Sequence, residues 1–482
     1  MPRRHPPKAQ PRRSRTTFPK PKMQPFNRTI TALSTPPGKG GVALIRLSGE
    51  DALAIAERVF RAKNGKPVAE LPARYATYGD VYLENEPIDD VLLTVFRAPN
   101  SYTGEDTVEI ASHGGVLITE AILTALYAAG ATPASPGEFT RRAYAAGKLS
   151  LSEAEAIGEL LDAKSMAQVK LFGGDSRARL SGELASLYEG VRALLSSLCA
   201  RLDYPDEDLG ELSSDEILDA IASTKKRCEA LLATYKTGKA VAEGVPTVLL
   251  GKPNTGKSSL YNLLVGRDAA IVTDLAGTTR DVLETTVPLG RVLLRLSDTA
   301  GVRESDDPVE RIGVNRAKEA AKNASLVLVL LDASQPADEE DMALLSFLDT
   351  LEGEKIALLN KSDLSPMQFD ATLLEGHVAR VLPFSAKDGD LSTLSGLVDR
   401  IFTDGDIRLG EDAVLFSARS HAALKLGYER LSAAEEALRT GYAIDAALTE
   451  LEGALSAFAE TDGRSVSEDV VAGIFSKFCV GK

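Results

Sequence analysis

Gly251-Lys252-Pro253-Asn254-Thr255-Gly256-Lys257-Ser258 fits G-x-x-x-x-G-K-[ST], a spacing that cradles phosphate. In such a loop, backbone N–H groups at a helix N-terminus face the phosphates. Lys257 then reaches the β and γ oxygens and the Ser258 hydroxyl holds Mg²⁺. Asp298-Thr299-Ala300-Gly301 follows as D-x-x-G. Its Asp can hold Mg²⁺ through water, and its Gly lets backbone approach the γ-phosphate. Asn360-Lys361-Ser362-Asp363 is N-K-x-D. A carboxylate accepts from the N1 and N2 donors of guanine and repels the N1 acceptor of adenine, so Asp363 selects the base by polarity. Ser385-Ala386-Lys387 backs up the base site. Gly277-Thr278-Thr279-Arg280-Asp281 lies where a first switch belongs, with Thr279 the expected second Mg²⁺ ligand. A Gly-rich turn matching by chance is the bland alternative. Three more nucleotide motifs in order weigh against it and specify a GTPase domain of the translation-factor type.

Well-known GTPases of this kind place Gln soon after D-x-x-G to orient the attacking water. Here Val302 comes next, and no Gln occurs between Gly301 and Ser325. The stretch Glu304-Ser305-Asp306-Asp307-Pro308-Val309-Glu310-Arg311 offers carboxylates instead. One of them can position water, and spacing alone does not choose which.

The elements that must hold these residues follow from periodicity. Thr247–Leu250, Val292–Leu296, Ser325–Leu331, Lys355–Leu359 and Val381–Phe384 are short apolar runs that read as buried strands, and Ser259–Leu264 opens a helix. Residues 27–146 read as α+β, with strands at Val42–Leu47, Asp89–Phe96 and Thr107–Ser112, and helices at Asp51–Phe60 and Ile118–Ala129. Polar groups punctuate the loops at 35–41, 102–106, 113–115 and 135–142. His113 alone is weak evidence of a site. From Ser152 to Tyr235, Leu160, Leu161, Ala163, Leu171, Leu180, Leu184, Leu187, Val191, Leu194, Leu195 and Leu198 recur at helical spacing and read as bundle core. Ser417–Leu438, Ala443–Ala459 and Ser467–Phe478 are helical again, with Ser467 a candidate cap. The fold class is therefore multidomain: an α+β N-terminal domain (27–146), then a helical-bundle domain in two parts (147–243 and 405–482). A P-loop GTPase α/β domain (244–404) is inserted between those parts, whose ends at the insertion must lie close. By spacing, the terminal C-x-G-K reads as a frayed tail.

A chain of 482 residues buries ample core. Its net charge of −14 gives no global field for nucleic acid, so RNA contact needs a local patch or a partner. Cys199, Cys228 and Cys479 match no zinc spacing and suggest a reducing compartment. No apolar run reaches the roughly 18 residues of a membrane span. Residues 1–26 are basic, acid-free and proline-rich. Proline rules out an amphipathic transit helix there, leaving a disordered arm or an early start with Met23 as the true initiator.

Separated stretches agree with one family. T-P-P-G-x-G-G-V, R-x-S-G, T-G-E-D, H-G-G, P-G-E-F-T-x-R-A, the inserted GTPase segment and the C-terminal C-x-G-K resemble the MnmE/TrmE tRNA-modification GTPases, a potassium-activated group. The match runs from about Asn27 to Lys482. The resemblance implies a dimerising N-terminal domain that binds a tetrahydrofolate derivative (5-formyl or methylene type) through Arg46, Glu109, Lys148 and Lys482, with Cys479 near that pocket. It implies K⁺ held by Asn254, Thr273, Leu275 and Thr278, and it selects Glu310 to position water. The implied GTP contacts are Asn254, Thr255, Gly256, Lys257, Ser258, Ser259, Thr273, Thr278, Thr279, Asp298, Thr299, Ala300, Gly301, Asn360, Lys361, Asp363, Ser385, Ala386 and Lys387, with Lys257 also catalytic and Mg²⁺ on Ser258 and Thr279. The implied setting is a cytoplasmic homodimer with no membrane contact. With the flavoprotein MnmG, it would install an aminomethyl-type or carboxymethylaminomethyl group at C5 of the wobble uridine of certain tRNAs. A regulatory or ribosome-assembly GTPase and a non-enzymatic scaffold are the competing readings. Lys257, Ser258, Asp298 and Glu310 argue against the scaffold.

Overall fold

The computed structural model describes residues 27–203, 214–266, 284–297, 318–364, 366–440 and 444–482. The described chain divides into two compact units. The first takes the residues up to Gly158 together with Phe458–Lys482, and the second takes Glu159–Ala457.

The first unit is built on a seven-stranded sheet. Its strands are β1 (Ile30–Leu33), β2 (Gly40–Ser48), β3 (Phe60–Ala62), β4 (Ala76–Leu83), β5 (Glu86–Phe96), β6 (Thr107–Gly114) and β7 (Thr132–Pro133), in the order β3-β4-β5-β6-β2-β1-β7. Alternation sorts its faces. Ile45, Leu47, Val91, Leu93, Val95, Val108 and Ile110 point inward. They form one core with Ile55, Ala56 and Val59 of the helix Ala52–Val59 and with Ile122, Ala125 and Leu126 of the helix Val116–Ala128. Arg46 and Glu109 sit directly opposite each other on β2 and β6, on the other face.

β1 and β4 were not among the sequence expectations. Polar residues interrupt β4, and β1 is only four residues long. The segment 135–142, expected as a loop, instead enters a helix, Glu138–Ala145. Gly137 starts it in a left-handed conformation (φ 65°), and buried charges inside the helix pair with one another rather than with water. The helix Glu468–Phe475 packs Val471 and Phe475 into a core with Tyr144, Leu151 and Ala154. Ser467 stands at its N-cap, but its side chain makes no capping bond.

The second unit holds a six-stranded sheet. Its strands are β8 (Val245–Leu250), β9 (Glu284–Leu289), β10 (Val292–Ser297), β11 (Leu326–Asp332), β12 (Glu354–Asn360) and β13 (Arg380–Pro383), ordered β13-β12-β11-β8-β10-β9. All neighbours are parallel except the β9–β10 hairpin. Leu326–Leu331 is buried throughout, without alternation. That pattern belongs to a parallel sheet covered on both faces, and two separate cores lie on the two sides of these strands. The helices Gly174–Asp203, Ser214–Ala233 and Ala418–Arg439 supply the bundle. Leu180, Leu184, Leu187, Val191, Leu194 and Leu198 are buried as the spacing predicts. Leu161 is not: it is 47% exposed at the last position of the helix Leu151–Leu161.

Candidate functional site

β8 delivers the chain into loop 251–256, and the helix Lys257–Gly266 opens directly behind it. A Cβ on Gly251 (φ 152°) would lie 2.4 Å from the Leu330 carbonyl, and one on Gly256 (φ 98°) would lie 2.1 Å from Asn360 Nδ2. Both positions therefore require glycine. Asn254 is also left-handed (φ 62°), a conformation its short amide tolerates, and its side chain is exposed. Thr255 is buried, its Oγ1 donating to the Lys252 carbonyl at 2.9 Å. Lys257 Nζ donates to the carbonyls of Gly251 (2.9 Å) and Lys252 (2.6 Å), so the ammonium lies inside the loop. Ser258 and Ser259 occupy the first turn of the helix.

The N-K-x-D segment closes the C-terminal end of β12. Asn360 is buried; its Nδ2 donates to the Thr255 carbonyl (2.7 Å) and its Oδ1 accepts from Ala386 N (2.9 Å). Asp363 Oδ1 accepts from Ser385 Oγ (3.1 Å), and Lys387 Nζ lies 3.9 Å from its other oxygen. The structure thus gathers residues 254–259, 360–363 and 385–387 at the carboxyl ends of β8, β12 and β13. In an open parallel sheet that is where ligands bind.

In the first unit, Arg46 Nε and Nη2 both donate to Glu109 Oε1, at 2.9 and 2.8 Å. The guanidinium lies 5.4 Å from the Tyr102 ring centroid and 5.6 Å from that of Phe139. Lys148 Nζ donates to the carbonyls of Pro99 (2.6 Å) and Ser101. The C-terminal residues are docked rather than frayed. Gly137 N donates to the Cys479 carbonyl (3.4 Å), Ser34 Oγ to that of Gly481 (3.1 Å) and Phe139 N to that of Lys482 (3.2 Å). Behind them, buried Arg142 grips both oxygens of Glu105 (3.1 and 3.0 Å) and Oε1 of Glu138 (2.9 Å). Burial opposes ionisation of Glu138. The Ser135 N–H and the Arg142 and Arg28 guanidiniums overcome that, holding its carboxyl below the ordinary value.

Two family models match the chain: the GTP-binding protein TrmE N-terminus over residues 29–148, and the MnmE helical domain over residues 151–479. The chain is 38% identical over 459 residues to the tRNA modification GTPase MnmE of Lactococcus lactis subsp. lactis, covering 94% of this chain and 98% of that one. It is 37% identical over 467 residues to that of Thermoanaerobacter pseudethanolicus, covering 94% and 99%. The chain belongs to the MnmE family of tRNA modification GTPases. It is a GTP hydrolase of that family. Among solved structures, Aquifex aeolicus Era bound to GDP·AlF4− is similar over 38% of this chain and 65% of that one, at 25% identity and a TM-score of 0.24.

Of the residues the MnmE resemblance singled out, Thr273, Leu275, Thr278, Thr279, Asp298, Thr299, Ala300, Gly301 and Glu310 lie outside the described residues. Sequence reasoning also missed contacts. Lys252 reaches Asp338 (2.6 Å) and Asp341 (2.7 Å), which form a reciprocal cap on the helix Glu339–Leu348. Burial works against the Lys252 charge, but these two carboxylates outweigh it and raise the ammonium's pKa. The signal was D-x-x-D ahead of an apolar run. Asp332, the last residue of β11, takes Lys361 Nζ at 2.6 Å; an acid closing an all-apolar strand was its only signal. Among the described residues, Asp89, Asp90 and His113 bring ligand atoms within 4.8 Å of one another. Both Asp89 oxygens are already engaged by His113, through Nδ1 and the backbone N at 2.8 Å each, so the cluster reads as a hydrogen-bonded Asp89–His113 pair.

Proposed function

We propose that this chain binds and hydrolyses GTP at loop 251–256 and the segments 360–363 and 385–387, and uses it in modifying the wobble uridine of tRNA. Asp363 reads guanine, the loop N–H groups and Lys257 hold the phosphates, and Glu310 positions the attacking water. The exposed amide oxygen of Asn254 fits a hard cation such as K⁺, with Thr273, Leu275 and Thr278 completing its shell. The Ser258 hydroxyl in the first helical turn fits Mg²⁺, with Thr279 as second ligand. When bound, these ions supply positive charge beside the phosphate oxygens.

The first unit takes a tetrahydrofolate derivative as one-carbon donor. The observation that carries this reading is the docked chain end: residues 479–482 are hydrogen-bonded to Gly137 and Phe139, and Phe139 stacks beside the Arg46–Glu109 pair. An aromatic ring pair, a guanidinium, a carboxylate and the Lys148 ammonium suit a ligand with a flat ring and acidic groups. In this reading the chain is a cytoplasmic homodimer, with the 244–404 segment inserted between helical segments 147–243 and 405–482. It works with the MnmG flavoprotein to build an aminomethyl-type or carboxymethylaminomethyl group at C5.

The test is calorimetric titration of the full chain with 5-formyltetrahydrofolate, alongside Arg46→Ala. Saturable binding that the variant loses supports the tRNA-modification reading. No binding by the wild-type chain moves the regulatory or ribosome-assembly GTPase to the front.

A further inference from the structure

The strands β8, β11 and β12 lie side by side and parallel. Their carboxyl ends therefore set Asp332 between the phosphate loop after β8 and the base-reading motif after β12. Asp332 stands in register with Asn360. Its Oδ2 accepts from Lys361 Nζ at 2.6 Å, and its Oδ1 accepts from Ser334 N (3.0 Å) and Ser334 Oγ (2.6 Å). The carboxylate side chain is only 12% exposed. Lys361 itself is left-handed (φ 64°). Its neighbour Asn360 spends its amide on Thr255 and Ala386, and Asp363 is held by Ser385.

We propose that Asp332 is a positioning residue for the guanine site, acting through Lys361. A lysine stem has four rotatable bonds and sheds rotamer freedom when it is ordered. With its ammonium anchored on a carboxylate that Ser334 already orients, Lys361 keeps one course between Asn360 and Asp363, and nucleotide binding need not order it. This inference rests on the reading that 360–363 recognises guanine.

Asp332→Asn keeps the side chain's size and its acceptor for Ser334 but removes the charge. The full-length variant is assayed for release of a fluorescent GDP analogue, with GDP, IDP and ADP as competitors. Release should quicken and GDP affinity fall about tenfold, the size of one charge-assisted hydrogen bond. Combined with Lys361→Ala, it should lose no more than Lys361→Ala alone, because the pair acts as a unit. Wild-type release by the variant, or losses that add in the double variant, overturn the inference. If Asp332→Asn does not fold, Ser334→Ala carries the test: about threefold faster release supports the proposal and unchanged release refutes it. A wild-type chain that binds ADP as well as GDP sinks the guanine reading itself. Wild-type GDP affinity and release in Asp332→Asn, with guanine still preferred over adenine, sink only the role given to Asp332.

Discussion

Asn360 and Thr255 stand 105 residues apart and are joined by a buried hydrogen bond, Nδ2 donating to the Thr255 carbonyl at 2.7 Å. The same side chain accepts from Ala386 N, so one amide spans the phosphate loop, the N-K-x-D turn and the S-A-K turn. Asn360→Ala strands the buried Thr255 carbonyl, worth about 1–3 kcal/mol when left unsatisfied, and frees the part-buried Ala386 N–H. GDP affinity should drop by at least about tenfold. A fluorescence titration matching the wild type would mean that these three segments hold their places without Asn360.

Glu310→Ala should still bind GTP and lose turnover, because the role proposed for its carboxylate is to orient water rather than to hold nucleotide. Turnover near the wild-type rate would remove Glu310 from the mechanism. Asp363→Asn swaps an acceptor oxygen for a donor and should erode the preference for guanine over xanthine nucleotides. Competition between GDP and XDP reads this directly.

GTP turnover should be much faster in KCl than in NaCl at equal ionic strength, and Asn254→Ala should lower the rate in KCl toward the NaCl rate. Equal rates in the two salts would show that hydrolysis proceeds without a selective cation at Asn254.

The chain end can be displaced without touching the nucleotide site. Gly481 is left-handed (φ 98°), and a Cβ there would lie 2.2 Å from the Leu33 carbonyl. Gly481→Ala should therefore push the last residues off their docking site and weaken tetrahydrofolate binding while leaving GDP affinity unchanged. Calorimetry with each ligand on the same preparation separates the two effects.

Glu138 gives a pH signature. Its folded-state pKa lies below its ordinary 4.5, so its stabilising contribution is complete above that value and is lost as pH falls through the folded-state pKa. Glu138→Gln should cost roughly 2 kcal/mol at neutral pH, less than a fully broken buried pair, since Glu105 still holds Arg142. The Tm gap between wild type and variant should narrow as pH falls below 4.5 and through the folded-state pKa of Glu138. A gap that does not narrow at any acid pH at which both proteins stay folded would show that the charge on Glu138 is not what stabilises the fold.

The second unit was the more legible in sequence. β8, β10, β11 and β12 carry apolar runs that the sequence reading finds, and Asn360 and Asp363 fall at the end of one of them; β9, whose run is Glu284-Thr285-Thr286-Val287-Pro288-Leu289, was not among the expectations. The first unit was harder to read. The spacing around Gly137 looks like a polar turn, yet Glu138 and Arg142 are buried together because each charge finds its partner one helical turn away. Local polarity cannot report a partner, and Glu105, which completes the pair, comes from a distant loop. The same limit hid Asp332 and Lys252, whose roles arise only when strands and helices far apart in sequence meet. The terminal C-x-G-K was misread by spacing for this reason too: its partners, Ser34, Gly137 and Phe139, lie hundreds of positions upstream.

That docking also sets an order of events during synthesis. The core around Tyr144 and Leu151 takes Val471 and Phe475 as members, and these are translated only after all of Glu159–Ala457. On the ribosome, the helices that carry Tyr144, Leu151 and Ala154 must wait with these side chains uncovered while the whole second unit is made. Nascent chains of this protein are therefore most open to chaperone capture, or to sticking to one another, in the interval before the last helix appears.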